Sequence, residues 1–320
     1  MNNSKEYVLI TGGAGFIGSC FSTYLLARNH GVIIIDNLST GFSENVPEGA
    51  IFIKADASDS TTFQLLDQYN ISSVVHFSGQ SSGEISFDDP IRDLSDNVLS
   101  TLRICDYMRK RNISKIIYAS SVTAYGNSPV KFPCSEDQMN VETISGFYGI
   151  GKVASENYLR LYEQNYNLKQ YSLRFQTIYG PGQNMSNLRQ GMISIFLEQI
   201  VRNYNPVVVK GSLDRFRDIL HIDDLVEILY LYLFNDIATG IYNVGTGIQT
   251  TFREVINYII EETGLNPDIK ETGSTKGDFF GAQADISKMI ESTGYKPKIS
   301  PEKGVKSYAR WYFDKVHDKE

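Results

Sequence analysis

A glycine-rich turn near the start of the chain restricts the fold more than any other feature. Gly12, Gly15 and Gly18 follow the apolar run 7–10 and precede a helical pattern that continues to Arg28. Glycine in such a turn lets a pyrophosphate approach backbone N–H groups and lets the helix pack on the strand. A strand, a glycine-rich turn and a helix in this order predict a nucleotide-binding βαβ unit.

An acidic residue follows the next predicted strand. Residues 32–35 are all aliphatic, and Asp36 comes directly after them. A carboxylate about 20 residues beyond the glycines can accept hydrogen bonds from an adenosine ribose and repel a 2′-phosphate. The spacing therefore favours NAD over NADP. A simple strand-end cap is the alternative interpretation of Asp36.

Further apolar runs alternate with helical patterns through the first half of the chain. Predicted strands lie at 51–54, 74–77, 115–119 and 170–175, and helices are predicted at 61–69, 88–110 and from 148 onward. Strands that alternate with helices favour a parallel sheet covered on both faces. The sequence therefore predicts an α/β fold with a doubly wound parallel sheet.

Tyr148 and Lys152 form the first candidate catalytic pair. They are four residues apart in a segment whose following residues, 153–159, favour a helix, so both side chains share one face. An ammonium beside a phenol favours the anionic form of the phenol, which makes Tyr148 a candidate general base. Taken alone the pair is weak evidence for a catalytic site, because most Tyr and Lys pairs at this spacing lie on a helix surface and have no catalytic role.

Composition narrows the class of protein. The net charge of −7 argues against nucleic acid or an anionic membrane as the main partner. Cys20, Cys105 and Cys134 are few and widely spaced, which indicates reduced thiols in a cytoplasmic protein. The most apolar stretch, 225–234, is shorter than the ~20 residues that cross a bilayer. We expect no signal peptide, no membrane span and, because the histidines are scattered, no metal site.

The assembled motifs resemble the extended short-chain dehydrogenase/reductase superfamily and, within it, the nucleotide-sugar epimerase/dehydratase family. The resemblance covers nearly the whole chain. The matching segments are Thr11 to Gly18, Asp36-Asn37-Leu38, Asp56, Val74-Val75-His76, Asn97-Val98, Ser120-Ser121, Tyr148 to Lys152, Leu173-Arg174, Tyr179 to Gln183, Arg217 to Asp224 and Tyr242 to Gly245.

The resemblance also implies a domain organisation. Gly180-Pro181-Gly182 interrupts the alternating pattern, and we place the main boundary there. Residues 1–180 are expected to form an NAD-binding Rossmann domain, rejoined by about 218–247. Residues 181–320 are expected to form mainly a smaller C-terminal α/β domain that binds substrate.

The resemblance implies roles for individual residues. Tyr148 would be the catalytic base, Lys152 its partner and a ligand of the nicotinamide ribose, and Ser121 a second hydroxyl that hydrogen-bonds the reacting sugar oxygen. Asp56 would hold the adenine, and the turn 12–18 the pyrophosphate. The residues expected at NAD are Gly12, Gly15, Phe16, Ile17, Gly18, Asp36, Asn37, Asp56, Ala57, Phe77, Ser78, Gly79, Asn97, Tyr148 and Lys152.

The two residues after Ser121 restrict the set of reactions that the resemblance implies. In 4,6-dehydratase relatives an Asp-Glu pair directly follows the hydroxyl residue, and in decarboxylases a glutamate stands at the place of Thr123. Here Val122 and Thr123 carry no acid or base. The resemblance thus implies 4-epimerisation through a transient 4-keto sugar. The alternatives are a 2-epimerase, a dehydrogenase or reductase, a dehydratase, a decarboxylase, or a non-catalytic NAD-binding regulatory protein.

The substrate half departs from the family pattern. Thr177 replaces a usual asparagine, and Arg217 is the best candidate ligand of the substrate pyrophosphate. Arg189 and Arg215 are candidate helpers, with a solvated surface position as an equal alternative for both. Ala282 stands where 4-epimerases restricted to unsubstituted hexoses carry a tyrosine, which leaves volume for a 2-acetamido group. We expect a UDP-hexose or UDP-N-acetylhexosamine. The expected substrate residues are Ser81, Ser121, Thr123, Thr177, Arg189, Arg217, Asp278 and Ala282.

The resemblance further implies a homodimer. Its interface would be a four-helix bundle built from the predicted helices 88–110 and 148–166 of two copies. The apolar faces of these helices include Leu94, Tyr158 and Leu161. The same faces could instead belong to the core of one copy.

Overall fold

The computed structural model describes residues 5–126, 131–274, 277 and 279–317. The strands are β1 (Glu6–Thr11), β2 (Gly31–Asp36), β3 (Ile51–Lys54), β4 (Asn70–His76), β5 (Lys115–Ser121), β6 (Lys169–Phe175), β7 (Thr177–Tyr179), β8 (Val207–Lys210), β9 (Phe216–His221), β10 (Gly240–Val244), β11 (Gln249–Thr251) and β12 (Ile269–Thr272). The α-helices are α1 (Phe16–Leu26), α2 (Pro90–Leu94), α3 (Ser100–Arg111), α4 (Phe147–Tyr166), α5 (Met192–Val201), α6 (Ile222–Phe234), α7 (Phe252–Thr263), α8 (Ser287–Thr293) and α9 (Pro301–His317).

A seven-stranded sheet organises the first lobe, in the order β10-β6-β5-β4-β1-β2-β3. Every neighbouring pair in it is parallel, so the predicted doubly wound sheet is confirmed. The strand order reverses at β1, which has β2 on one side and β4 on the other. In such sheets the crevice at this reversal, outside the carboxyl ends of the strands, is where ligands bind.

Two apolar layers bury the faces of this sheet. On one face, α1 and α6 contribute Phe21, Leu25 and Leu229 to a core that also contains Ile10 of β1. On the other face, side chains of α3 and α4 such as Met108 and Leu159 pack against the sheet. These residues recur at helical spacing, because a helix on a sheet buries one stripe of its surface. The sheet ends are therefore held rigidly beneath any ligand in the crevice.

The C-terminal lobe has its own core. It contains a three-stranded sheet in the order β11-β9-β7, the parallel pair β12-β8, and the packed helices α5, α7 and α9. Strand β10 leaves this lobe and pairs with β6 at the edge of the main sheet. Strand β9 begins inside a charged segment, 214–218, that the sequence did not predict to be a strand. All six residues of β9 are buried.

Two helix predictions need correction. The predicted helix at 61–69 is only a 3₁₀ turn, Thr62–Leu66, and it follows a tight turn in which the Asp59 carboxylate accepts from the Thr61 backbone N–H. The predicted helix at 88–110 is interrupted by a π-helical turn at Ser95–Leu99, between α2 and α3. None of the described helices is long and apolar enough to cross a membrane.

Candidate active site

A cleft of about 750 Å³ lies along the carboxyl ends of the central strands. Its walls come from the glycine-rich turn, from the residues that follow β2, β4, β5 and β6, and from the first turns of α4. Parallel strands bring their carboxyl ends to one edge of the sheet, so residues far apart in the sequence meet there. The cleft is therefore a single site built from several short polar segments.

The glycine-rich turn leaves its backbone open to this cleft. Gly12 has φ +70°, and a Cβ atom on it would lie 2.7 Å from the backbone nitrogen of Ser78. A Cβ on Gly18 would collide with the carbonyl oxygen of Gly12. Gly15 is the N-cap of α1 and offers no side chain to the N–H groups of the first helical turn. These groups fit a pyrophosphate, which helix N-termini attract.

Two carboxylates lie further along the cleft. Asp36 is buried and accepts from the Ala14 N–H at 3.0 Å and from the Leu38 N–H at 2.8 Å. It thus caps its strand and lines the cleft. Asp56 accepts from the Asn37 side chain at 2.8 Å. Burial would raise the pKa of Asp56, but hydrogen bonds from Ser58 and Asn37 lower it on balance. An ionised acceptor suits the hydroxyl and amino groups of an adenosine.

Three predicted catalytic side chains meet at one end of the cleft. Ser121 is the last residue of β5, and Tyr148 and Lys152 lie in the first turns of α4. The Lys152 ammonium donates to the carbonyl oxygen of Ala119 at 2.9 Å, and its nitrogen is 5.4 Å from the centre of the Tyr148 ring. All three side chains are buried and line the cleft. The structure thus assembles the trio from two separate elements.

The protonation of this trio differs from the prediction made from spacing alone. Burial raises the pKa of Tyr148 to about 12; a hydrogen bond with Ser121 lowers it and the charge of Asp93 raises it. Burial also lowers the pKa of Lys152 to about 8. Desolvation disfavours the charged form of both groups and outweighs the lowering that an adjacent ammonium would cause. The phenol is therefore neutral at pH 7 in the protein alone.

A buried carboxyl group, Asp93 on α2, lies beside the trio. It accepts from Gln80 at 2.9 Å and from Asn97 at 3.2 Å. Burial raises the pKa of Asp93, whereas the charge of Lys152 lowers it. The amide oxygen of Asn97 is buried without a hydrogen-bond partner among the described residues. Asp93 therefore adds a negative charge that helps to keep Lys152 protonated.

The structure separates the predicted ligand residues into two groups. Of the predicted cofactor residues, only Asn97 does not line the cleft. Arg189, Arg217 and Ala282 of the predicted substrate residues also lie outside its lining, and Asp278 lies outside the described part of the chain. The predicted residues that line the cleft are Gly12, Gly15, Phe16, Ile17, Gly18, Asp36, Asn37, Asp56, Ala57, Phe77, Ser78, Gly79, Ser81, Ser121, Thr123, Tyr148, Lys152 and Thr177.

The three outlying residues have defined surroundings. Arg189 is on the surface, paired with Glu84 at 3.3 Å and with Asp88 at 2.7 Å. Arg217 is buried in β9. Ala282 is also buried, and its N–H donates to the carbonyl oxygen of the residue before Arg217. Arg217 and Ala282 therefore belong to one neighbourhood of the C-terminal lobe, from which Arg189 is separate.

Arg217 donates mainly to backbone carbonyl groups. Its guanidinium contacts the carbonyl oxygens of Phe216 at 2.7 Å, Phe280 at 3.2 Å and Phe279 at 3.0 Å. It also lies 4.3 Å from the centre of the Phe279 ring. Arg215 donates to the same Phe279 carbonyl at 2.9 Å. The segment at 279–280 is thus held by two arginines.

The polar cleft residues to which the sequence analysis gave no role include Gln80, Asp93, Gln176 and Gln183. Gln176 could have been found, because it directly follows β6 at the carboxyl end, where polar residues face ligands. Gln80 lies in the segment after β4, four residues beyond its last residue. Asp93 lies within a helix, and no spacing in the sequence points it toward Lys152.

Comparisons with known proteins agree with this geometry. The profile of the NAD dependent epimerase/dehydratase family matches residues 8–245. The chain is 30% identical to a UDP-glucose 4-epimerase of Thermotoga maritima solved with UDP-glucose, with a TM-score of 0.93 over 97% of this chain and 100% of that one.

Two further solved structures are similar over almost their whole length. A UDP-glucose 4-epimerase of Thermus thermophilus in complex with NAD is 32% identical, with a TM-score of 0.88 over 95% of this chain and 98% of that one. A UDP-N-acetylglucosamine 4-epimerase of Methanobrevibacter ruminantium, in complex with UDP-N-acetylmuramic acid, is 27% identical, with a TM-score of 0.89 over 98% and 99%.

Proposed function

This chain belongs to the NAD-dependent epimerase/dehydratase family, and we propose that it is an NAD-dependent nucleotide-sugar 4-epimerase. One observation carries the proposal. Ser121, Tyr148 and Lys152 meet at the end of a cleft with a pyrophosphate-type glycine turn, and the two residues after Ser121 are Val122 and Thr123. The trio can take and return the proton that oxidation and re-reduction of a carbinol carbon by NAD require, and the two residues after Ser121 lack the carboxylates that dehydration needs.

The residues that line the cleft fit NAD. We assign the pyrophosphate to the backbone of Gly12, Gly15 and Gly18, the adenosine ribose to Asp36, and the adenine to Asp56. When bound, NAD supplies the hydride acceptor and donor and a positive charge on its nicotinamide ring. The buried carboxylate of Asp36 disfavours a 2′-phosphate at the ribose, so we propose NAD rather than NADP.

The protein residues then control one proton. The positive charges of Lys152 and of bound NAD would favour the phenolate of Tyr148 over the neutral phenol of the protein alone. As the phenolate, Tyr148 takes the proton of the sugar 4-hydroxyl while Ser121 hydrogen-bonds the same oxygen, and with the hydride accepted by NAD a 4-keto sugar results. Lys152 stabilises the phenolate by its charge, and the carboxylate of Asp93 favours the protonated form of Lys152, although the same carboxylate raises the pKa of Tyr148. After the keto sugar turns over in the cleft, Tyr148 returns the proton to the oxygen. Carbon 4 then has the opposite configuration, and NAD is regenerated in each cycle.

We propose a UDP-hexose or a UDP-N-acetylhexosamine as substrate. The similar structures hold UDP-glucose in one case and UDP-N-acetylmuramic acid in another. Arg217 is the proposed ligand of the substrate pyrophosphate, and Ala282, whose N–H bonds the strand beside Arg217, leaves space for an acetamido group. Residues 1–180, with 218–247, would hold the cofactor, and the remainder of 181–320 would hold most of the nucleotide sugar.

We also propose that the protein is a homodimer. Three apolar side chains that the sequence places on the dimer face are partly exposed in one copy: Leu94 at 56%, Tyr158 at 40% and Leu161 at 43%. Burying them between copies would remove apolar surface from water. Sedimentation analysis of the purified protein tests this assignment; a sedimentation coefficient that matches a single chain would contradict it.

A panel of nucleotide sugars tests the activity. UDP-glucose, UDP-N-acetylglucosamine, and GDP- and CDP-hexoses are incubated with the protein and followed by NMR. The expected result is inversion at carbon 4 without added NAD and without lasting NADH absorbance. Loss of water, loss of carbon dioxide or accumulation of NADH would instead indicate a dehydratase, a decarboxylase or a dehydrogenase. Unchanged substrates throughout would overturn the proposed function.

A further inference from the structure

Three glutamines are buried in the described part of the chain, and they differ in how their side-chain amides are used. Gln199 exchanges two hydrogen bonds with the backbone of Val208, at 2.8 and 3.3 Å. Gln170 donates to Glu163 at 3.1 Å and accepts from Ser172 at 2.8 Å. Gln176 is only 6% exposed, yet its amide oxygen has no hydrogen-bond partner among the described residues.

Gln176 lies at the reactive end of the cleft. It directly follows β6, whose last residue, Phe175, is in register with Ser121 of β5. Both Gln176 and Tyr148 line the cleft. The backbone N–H of Gln176 donates to the Val244 carbonyl at 2.9 Å, which anchors the residue to β10. A buried amide oxygen without a partner among the described residues therefore belongs to the residue that follows the strand position paired with Ser121.

Packing restricts the direction of this side chain. A Cβ atom on Gly245 would lie 2.6 Å from the Cγ of Gln176, so the stem of the side chain rests against the glycine backbone. The same Cβ would lie 2.7 Å from a carboxylate oxygen of Asp218, which is occupied by the backbone N–H groups of Gly247 and Ala284. Gln176 is thus wedged against Gly245, and the residue forms part of the cleft wall.

We propose that Gln176 hydrogen-bonds the hexose ring of the nucleotide sugar and is a specificity-determining residue. This inference rests on the proposed function. A primary amide both donates and accepts, and a sugar hydroxyl or acetamido group offers both in return. A carboxylate on the sugar would offer only hydrogen-bond acceptors, so the amide oxygen of Gln176 would remain without a donor. A site that hydrogen-bonds a substrate hydroxyl discriminates strongly against an analogue that lacks it.

In the ligand-free protein, the buried amide oxygen of Gln176 lowers the stability of the folded state. A buried amide without a partner destabilises the folded state, whereas an apolar group of the same shape does not. Functional sites often retain such locally unfavourable groups. Replacing the amide of Gln176 should therefore leave thermal stability unchanged or raise it, while the same replacement at Gln199 should lower it.

The test compares Gln176→Leu with the matched variant Gln199→Leu. For Gln176→Leu we expect an unchanged or higher Tm, unchanged NAD content, and a kcat/KM for UDP-glucose lower by about 10- to 100-fold. For Gln199→Leu we expect a lower Tm and an unchanged kcat/KM. The Kd for UDP-glucose, measured by calorimetry, should rise in Gln176→Leu and remain constant in Gln199→Leu.

Deoxygenated substrates identify the sugar group. With wild-type protein, one of UDP-2-deoxyglucose, UDP-3-deoxyglucose and UDP-6-deoxyglucose should lose about as much kcat/KM as Gln176→Leu does. For Gln176→Leu, the kcat/KM for that analogue should be no lower than the kcat/KM for UDP-glucose. If UDP-N-acetylglucosamine is turned over and the 2-deoxy compound shows this pattern, the partner at carbon 2 is the acetamido group or the hydroxyl that it replaces.

Several results would overturn the inference. A kcat/KM and a Kd within two-fold of wild type would show that Gln176 does not contact the sugar. A changed NAD content with an unchanged Kd for UDP-glucose would assign the amide to the cofactor instead. A clear fall in Tm would show a structural role. Absence of turnover by the wild type would contradict the proposed function, and the calorimetric comparison would still decide the role of Gln176.

Discussion

The two lobes of the protein differ in where they place the polar groups that we assign to ligands: in an open cleft or buried within the protein. On the first lobe, the glycine turn, Asp36 and the catalytic trio already line an open cleft. On the C-terminal lobe, Arg217 is buried and donates to the carbonyl oxygens of Phe279 and Phe280. The cofactor side is therefore formed in advance, whereas the proposed binding of the substrate by Arg217 would exchange carbonyl contacts for phosphate contacts.

This difference has a chemical reason. A cofactor that remains bound through many turnovers gains from a rigid, preformed surface, because little entropy is lost on binding. A substrate that enters and leaves in each cycle can instead be bound by a residue that exchanges partners, which is the role that we propose for Arg217. Charge-assisted hydrogen bonds to phosphate are stronger than those to a neutral carbonyl, so the exchange is favourable.

The largest expected effect tests the preformed side. Tyr148→Phe removes the only hydroxyl that we assign to proton transfer, so kcat should fall by about 10³-fold. NAD content and the KM for UDP-glucose should change little, because the ring and its packing remain. Turnover by NMR and NAD release on denaturation measure these quantities. An activity close to wild type would show that the trio is not the catalytic centre.

The next effect tests the exchange at the C-terminal lobe. Arg217→Gln should raise the KM for UDP-glucose by about 10- to 100-fold, because a hydrogen bond to a charged group is lost. The matched variant Arg189→Gln should leave the KM unchanged, since Arg189 is exposed and paired with Glu84 and Asp88. A lower Tm with an unchanged KM in Arg217→Gln would show that this arginine stabilises the segment at 279–280 and does not bind the substrate.

The smallest expected effect concerns the free energy of unfolding of the preformed first lobe, which the burial of Lys152 lowers. Burial lowers the pKa of Lys152 to about 8 from 10.5, so between these pH values the unfolded chain binds more protons than the folded one. The contribution of Lys152 to the free energy of unfolding therefore rises with pH in this window and is most unfavourable below pH 8. Lys152→Met should relieve it.

We expect Lys152→Met to stabilise the cofactor-free protein at pH 7 by about 2 kcal/mol. This is about 3 kcal/mol from the pKa difference, less about 1 kcal/mol for the lost hydrogen bond to Ala119. The advantage should shrink from pH 8 to pH 10. Thermal unfolding of both proteins at several pH values measures it, with the exposed Lys110→Met as control. An advantage that does not depend on pH would contradict the assignment.

The sequence predicted the parts of this molecule that are encoded locally. The glycine turn, Asp36 and the pair Tyr148 and Lys152 are recognised by spacing within one or two elements, and the structure places all of them at one cleft. The parallel sheet followed from the alternation of strands and helices in the same way. Local periodicity and local spacing carry this information because the chain neighbours are also spatial neighbours.

The remaining features depend on packing between distant segments. The direction of the Tyr148 pKa shift depends on how completely α4 and β5 exclude water, which no local pattern records. Two of the carbonyl partners of Arg217, those of Phe279 and Phe280, come from a segment about 60 residues away. Gln176 differs from Gln199 only in what the fold places around it. Such properties arise from tertiary structure, so spacing in the sequence did not predict them.

The π-helical turn at Ser95–Leu99 has a consequence for the evolution of this chain. It directs the backbone carbonyl of Asn97 so that it accepts from both Thr101 at 2.8 Å and Ser155 of α4 at 3.0 Å. Loss of a single codon here would restore regular helix but turn everything on one side of the gap by about 100°. The bond to the helix that carries Tyr148 would then break. Selection should therefore tolerate many replacements of exposed side chains in this turn but not a change in its length.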